Sequence, residues 1–541
     1  MRLSSTRTKR SRRSRAWAVG AGACSLALAA GCTGGGSGSA GASGAKEFTF
    51  AQSAAPISLD ITKHYDGNIM QMMAPATEKL EHISVDGKLS PGLASSVEQP
   101  DATTLVYSLR KGVKFSSGRT MTAADAVWSL RHVTDTAAGA QTAGNVRSFK
   151  SASATGADEV TVKLRYPDPT ARQSLAVIGF VQDAKFAEAH AKELGTAAAV
   201  PVGTGPYKVV AYTKQQVRLE RNPHFEGKKP AMDRITFRFI PQDNTAQLAM
   251  RSGEIQGALI GNLKTADQWE GIDKARLYPL PSLSSTFLSL DTRTAPLDDV
   301  HVRKAIAYSV DRSGVMSAGF GKHAELLNGM VPPGVLAPVA SSEQEAKNFL
   351  AGLPQYDLDP KKARAELAKS KRPKGFTLTV PYLTGAPFSE LVVLNLQQNM
   401  KPLGVTIKPK PLSQPQWTEA VYGHRKGPHS MQLVAPIPDP IAILSKTTGK
   451  ENIAPRRFNL ANWSDPESEK AYARLTTSTD KAQRWKAAQT LLRNIADDVP
   501  YVPLYNPDTV AVLGEGFTFS KKVTLFDLMV NGTWASALKA G

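Results

Sequence analysis

The chain has 541 residues, 41% hydrophobic and 21% charged, with 66 Lys and Arg against 47 Asp and Glu, for a formal net charge of +19. That length predicts two or three domains with an ample core, so no disulfide framework is needed. The basic excess does not describe a nucleic-acid surface: seven of the positive charges lie in residues 1–15, and the +12 that remains is scattered without a dense basic run.

At the amino end, MRLSSTRTKRSRRSR carries those seven Lys and Arg and no acid, and an apolar segment follows over residues 16–30. Spanning a bilayer takes roughly 20 apolar residues, so this segment has the length of a signal-peptide core rather than of a membrane helix. It ends in Ala29-Ala30-Gly31-Cys32, which resembles the bacterial lipobox, with Ala29 where a large aliphatic residue is usual. Cys32 is therefore the expected lipidation site. The chain has two cysteines, and Cys24 falls within the segment expected to be removed, so the mature protein forms no internal disulfide. Residues 33–45 read as a Gly/Ser tether with a reach of roughly 20 Å. Arg12-Arg13 resembles a twin-arginine signal, with Arg15 where an apolar residue is usual, and leaves the export route open.

Beyond the tether, strand and helix signals alternate irregularly, without a fixed repeat. Residues 105–115, LVYSLRKGVKF, alternate through Leu105, Tyr107 and Leu109 before a turn at Lys111-Gly112, the pattern of a half-buried hairpin arm. Thr122 and Asp125 then form a capping box ahead of a helix carrying Val127 and Leu130. Residues 233–240 alternate as a strand, and Asp243 or Asn244 is the expected cap of the helix after it. Asp298 and Asp299 precede a predicted amphipathic helix that points Val302, Ile306 and Val310 at a core. Asp359 is a predicted N-cap with Pro360 at the first helical position. A strand, a helix and a strand follow through FTLTVPYL, LVVLNLQQNM and VTIKPKPL, and YVPLYNPDTVAVL reads as β near the end. The mixture is α/β without a single wound series.

Among catalytic signatures, HExxH, paired CxxC, a Walker A loop and GxSxG are all missing. The nine histidines are scattered; the closest pair, His424 and His429, sits in the loop-like GHRKGPHS and reads as exposed. Asp298 and Asp299 read as caps rather than as an acid–base pair. No enzyme, cofactor or metal site is expected from these residues.

The stretch PGLASSVEQPDATTLVYSLRKGVKFSSGRTMTAADAVWSL, residues 91–130, resembles the hallmark region of family 5 solute-binding proteins, which serve peptide and nickel ABC importers. Pro91, Leu93, Ala94, Leu109, Arg110, Gly112, Val113, Phe115, Gly118, Thr122 and Asp125 match; Ser117 and Ala126 replace the usual Asp and Val. GTGPY, RNPHFEGKKP, SGEIQGA, FLSLDTRTAPLDDVHVRKAIAYSVDR, YDLDPKKARAEL and LQQNMKPLGVTIK resemble further family blocks in the right order, so the likeness spans residues 48–510.

The resemblance implies a bilobal clamp of the type II periplasmic-binding-protein class, with an additional subdomain on the first lobe. The layout it implies is a signal peptide at 1–31, lipidated Cys32 and tether over 32–45, lobe I at 46–82, 202–284 and 505–541, a subdomain at 83–201 and lobe II at 285–504. It implies an exported protein, lipid-anchored on the outer face of the bacterial cytoplasmic membrane. Such a protein is expected to be a monomer that passes peptide or peptide-like solutes to ABC permease transmembrane subunits.

In peptide-binding members an acid near the ligand pairs with its free amine. In the matching stretch PIPDPIAIL, Pro436 stands where that acid belongs; Asp439 either substitutes or caps the following helix. Loss of the acid disfavours a free amine, since a buried ammonium without a partner is costly. Tyr65, Trp417 and Tyr422 are the aromatic candidates for the cleft, whereas Trp128 and Trp485 are assigned to core. Alternative readings are an oligosaccharide, metal-chelate or haem carrier, a receptor for a peptide signal, and, from another class, a secreted hydrolase.

Overall fold

The computed structural model describes residues 46–541; the expected signal peptide, Cys32 and the tether lie outside the described residues. Seven strands form the largest sheet, in the order Arg276–Leu280, Thr509–Leu513, Gly257–Leu259, Glu47–Gln52, Arg234–Phe239, Gln216–Arg221, Tyr207–Tyr212. Glu47–Gln52 runs parallel to both of its neighbours, and the remaining pairings are antiparallel. Its alternate residues Phe48 and Phe50 point into one core with Phe237 and Trp534, the ring centroids of Phe50 and Trp534 lying 5.7 Å apart.

A second body is a four-stranded antiparallel sheet, Ala94–Asp101, Thr104–Leu109, Glu159–Leu164 and Phe149–Gly156 in spatial order. Leu105, Tyr107 and Leu109 are buried while Val106 and Ser108 are half-exposed, as period-two alternation demands of a strand covered on one face. Helix Ala123–Thr134 packs on it and starts from the Thr122–Asp125 capping box.

The third body holds the parallel pair Thr377–Leu383 and Thr406–Leu412 under helix Pro387–Met400, and the three-stranded sheet His429–Val434, Ser284–Ser289, Tyr501–Pro503. Val302, Ile306 and Val310 are buried here, but the single predicted helix is two, Val300–Ala307 and Arg312–Phe320. Ser309 Oγ donates back to the Ala305 carbonyl at 2.7 Å, and the Asp311 carboxylate accepts from Gly314 N at 2.8 Å. Side chains that bond the backbone locally end one helix and cap the next.

Three further expectations meet a different local outcome. Helix Asp243–Arg251 has Gln242 at its N-cap, because Asp243 accepts instead from Thr265 Oγ1 at 2.9 Å and from the buried Trp269 indole at 3.2 Å. Trp128 and Trp485 are half-buried: Trp128 stacks on His132 at 4.6 Å, and Trp485 keeps its indole N–H on Glu345 at 2.9 Å. His429, expected to be exposed, is 1% exposed within its strand.

The run over 501–513 is β apart from Leu504 and Asp508, yet its three short strands enter three different sheets. It returns from the third body to the first beside the outgoing connection at 281–283. The two crossings are braced side by side, with Asn506 accepting from Ser284 N at 3.2 Å and donating to the Ser282 carbonyl at 2.9 Å.

Candidate functional site: a cavity over two crossing strands

A cavity of about 720 Å³ lies over this brace, and Ser282, Ser284, Asp508 and Thr509 form its floor. One wall comes from the first body: Tyr65 and the start of helix Gly67–Met73, the loop after strand Gly257–Leu259, and residues 525–530. The opposite wall comes from the third body: Phe320, Phe388, residues 432–436 of the outer strand and the turn after it, and Lys446. Apolar side chains dominate both walls, which suits a cleft that holds a ligand largely by area.

A side chamber of about 330 Å³ shares Asn145, Pro436 and Lys446 with the cavity. It runs between residues 144–174 of the second body and helices Ile441–Thr447 and Pro466–Thr477 of the third.

The sequence-based site residues divide. Tyr65 and Pro436 both line the cavity, from opposite walls. Burial pushes the Tyr65 hydroxyl well above the usual phenol range, so it stays a neutral donor. Trp417 stands in a smaller chamber of about 170 Å³, which shares Phe388 and Gln432 with the main cavity. Tyr422 lies apart: its ring is 47% exposed and packs edge-on against Phe458 at 5.7 Å. Asp439 is buried, pairs with Arg484 at 2.6 Å and accepts from Ile441 N at 3.0 Å. It sits one residue before the N-cap Pro440, as an acceptor for the first helical N–H and an ion-pair partner, and among the described residues it lines none of the three chambers.

Charged residues that sequence reasoning missed reach the cavity. Asp508, between two strands of the last β run, forms no ion pair among the described residues, and burial raises its carboxyl. The signal was a lone carboxylate within an otherwise β-forming run. Lys446, in the last turn of its helix, also forms no ion pair among the described residues; burial, with Arg147 nearby, lowers its ammonium to about 8. Asp66 is engaged, capping Ile69 N at 3.0 Å and pairing with His64 at 3.0 Å. Among the described residues no cluster of three metal-ligating side chains occurs, and no helix is long and apolar enough to cross a membrane.

The model of the bacterial extracellular solute-binding proteins, family 5 middle, matches residues 88–455. The glutathione-binding protein GsiB of Pectobacterium atrosepticum is 26% identical over 504 residues, covering 90% of this chain and 92% of that protein. The probable D,D-dipeptide-binding periplasmic protein DdpA of Escherichia coli K12 is 25% identical, covering 87% and 90%. Among solved structures, the ABC transporter substrate-binding protein CtaP of Listeria monocytogenes superposes with a TM-score of 0.79 at 22% identity, covering 92% of this chain and 99% of that one. The solved neighbours carry the type II periplasmic-binding-protein fold, and the mixed α/β bodies here share it.

Proposed function

Since the chain belongs to family 5 of the bacterial extracellular solute-binding proteins, the substrate-binding components of ABC importers, we propose that it captures a peptide-like solute and delivers it to a permease. In this reading the first and third bodies are the cores of lobes I and II, the four-stranded body is the added subdomain, and 46–82, 202–284 and 505–541 form lobe I. Cys32 carries the lipid that holds the protein, as a monomer, to the outer face of the cytoplasmic membrane. The protein is a carrier and transforms nothing.

The observation that carries the capture role is a cavity walled mainly by the first and third bodies, with Asn145 and Val177 of the second, and floored by the crossing strands. A ligand that touches both walls does so only when they are close, so binding shifts the population towards closure. The peptide-like chemistry is supported by strand His429–Val434, the outer strand of its sheet, with Gln432 and Val434 on the cavity. Among the described residues no strand pairs with its outer edge, which leaves backbone donors and acceptors for an extended ligand. The names of GsiB and DdpA point the same way.

Native mass spectrometry of the purified protein, followed by denaturation and identification of what it releases, tests this. A peptide or another amide-bearing molecule is the expected species. A sugar, a metal chelate or haem overturns the ligand class and leaves the capture role; a released product of turnover overturns the carrier role. For the anchor, Cys32→Ser is expected to move the protein from the membrane fraction to the soluble one.

A further inference from the structure

The side chamber holds two cations and two carboxylates, and the carboxylates are already engaged. Asp168 accepts from Thr170 N at 2.8 Å and Thr170 Oγ1 at 2.9 Å within its own turn, and from the more distant Ser148 Oγ at 2.6 Å. Glu451 accepts from the Tyr472 hydroxyl, which burial and this contact push above the usual phenol range. Neither pairs with Arg147 or Lys446, and among the described residues neither cation makes a salt bridge or a side-chain hydrogen bond of its own.

Burial disfavours the Lys446 ammonium, and the like charge of Arg147 in the same chamber disfavours it further. Lys446 also reaches the main cavity, beside Pro436, which is apolar and uncharged. An anion between the cations relieves the repulsion without displacing any existing bond, whereas a ligand ammonium here adds a third positive charge.

We propose that Arg147 and Lys446 form an oxyanion subsite, so that the ligand places a carboxylate or phosphate in the side chamber and an apolar, peptide-like body in the main cavity. The inference rests on the binding-protein reading and deepens it. It also gives Pro436 a physical context: a carboxylate at that position faces the subsite and repels the ligand's anionic head.

Calorimetric titration of the purified protein with four probes sharing a Leu-Phe-amide body tests the assignment. Their amino ends are N-succinyl, N-phosphonoacetyl, N-acetyl and free amine. At least one anionic probe is expected to bind about tenfold tighter than the acetyl probe, and the free amine weakest. The stronger of the two distinguishes carboxylate from phosphate. Lys446→Met and Arg147→Gln each remove about tenfold of that preference with no loss of melting temperature.

A pH series separates a charge role from a packing role. Lys446 faces Arg147, Tyr166, Asp168, Glu451 and Tyr472 in the side chamber, and Tyr65, Asp66 and Asp508 around the main cavity. Burial holds Tyr65, Tyr166 and Tyr472 above the usual phenol range, so they stay neutral as pH rises through the Lys446 value of about 8. The anionic preference of the wild-type protein therefore falls towards about pH 9.5, and Lys446→Arg keeps it. Tightest binding by the free amine, or an anionic preference indifferent to both substitutions, overturns the subsite and leaves the binding-protein reading standing. Failure of all four probes to bind overturns both the subsite and the peptide-like ligand.

Discussion

Asp439, two residues before the seven-residue helix Ile441–Thr447, and Lys446, in its last turn, meet opposite surroundings. Asp439 is 3% exposed and bound to Arg484 at 2.6 Å, whereas Lys446 borders two chambers and has no acid partner among the described residues. The same division holds elsewhere. Asp183, behind the walls, is clamped by Arg119 at 2.6 Å, which holds its carboxyl below the usual range despite burial; Asp508, on the cavity floor, is unpaired and raised by burial. Asp439 and Asp183 are completed within the chain, whereas Lys446 and Asp508 line the cavity and form no ion pair among the described residues; Asp66, on the same cavity, is paired with His64. Under the proposed function, absence of an internal partner is what distinguishes a charge offered to the ligand.

Removing a paired charge breaks the fold first. Asp439→Asn keeps a cap for Ile441 N and strands the buried Arg484 guanidinium, which costs about 3–5 kcal/mol in urea unfolding and leaves the order of probe affinities unchanged. A shift in that order with stability intact assigns Asp439 to the ligand and ends the comparison.

The next effect is an acid step. Burial lowers His429 from 6.5 to about 4, and its Nε2 has no partner. The unfolded chain binds the proton first, so this stability is present above pH 6.5 and is lost as pH falls through 4. The loss amounts to about 3 kcal/mol, and melting curves of His429→Leu show a flatter profile across that window. Smaller again is Asn506→Ala, which removes the brace between the crossings; about 1–2 kcal/mol of stability is lost, and small-angle scattering shows a broader spread between open and closed forms.

Smallest is Lys446→Met, expected to change stability at pH 7 by less than about 1 kcal/mol, with direction upwards, because it removes a poorly solvated charge that nothing satisfies. A loss as large as that of Asp439→Asn shows that Lys446 is structural and erases the distinction.

Local chemistry made much of the fold legible. Leu105, Tyr107 and Leu109 alternate because one strand face is covered, and Asp359 caps because it precedes Pro360 at a helix start; its carboxylate accepts from Lys361 N and Lys362 N at 3.0 and 2.9 Å. What stayed hidden depends on distant partners. Nothing within residues 501–513 says that their successive short strands join different sheets, and nothing near Asp243 says that the Trp269 indole claims it. In the site, Tyr65 and Pro436 were reachable through family resemblance. Lys446, Arg147 and Asp508 were not, because being unpaired is a property of the whole packed structure.

Strand Thr509–Leu513 lies between Arg276–Leu280 and Gly257–Leu259, and Trp534 completes the core around Phe48 and Phe50. Until those last residues exist, Arg276–Leu280 has no neighbour and the sheet that begins at Glu47 ends at an open edge. Synthesis runs the other way, so a growing chain cannot close its earliest-made body ahead of its latest-made one. The order of the strands acts as a timer, so the body that holds the first-made strand is the last to be sealed.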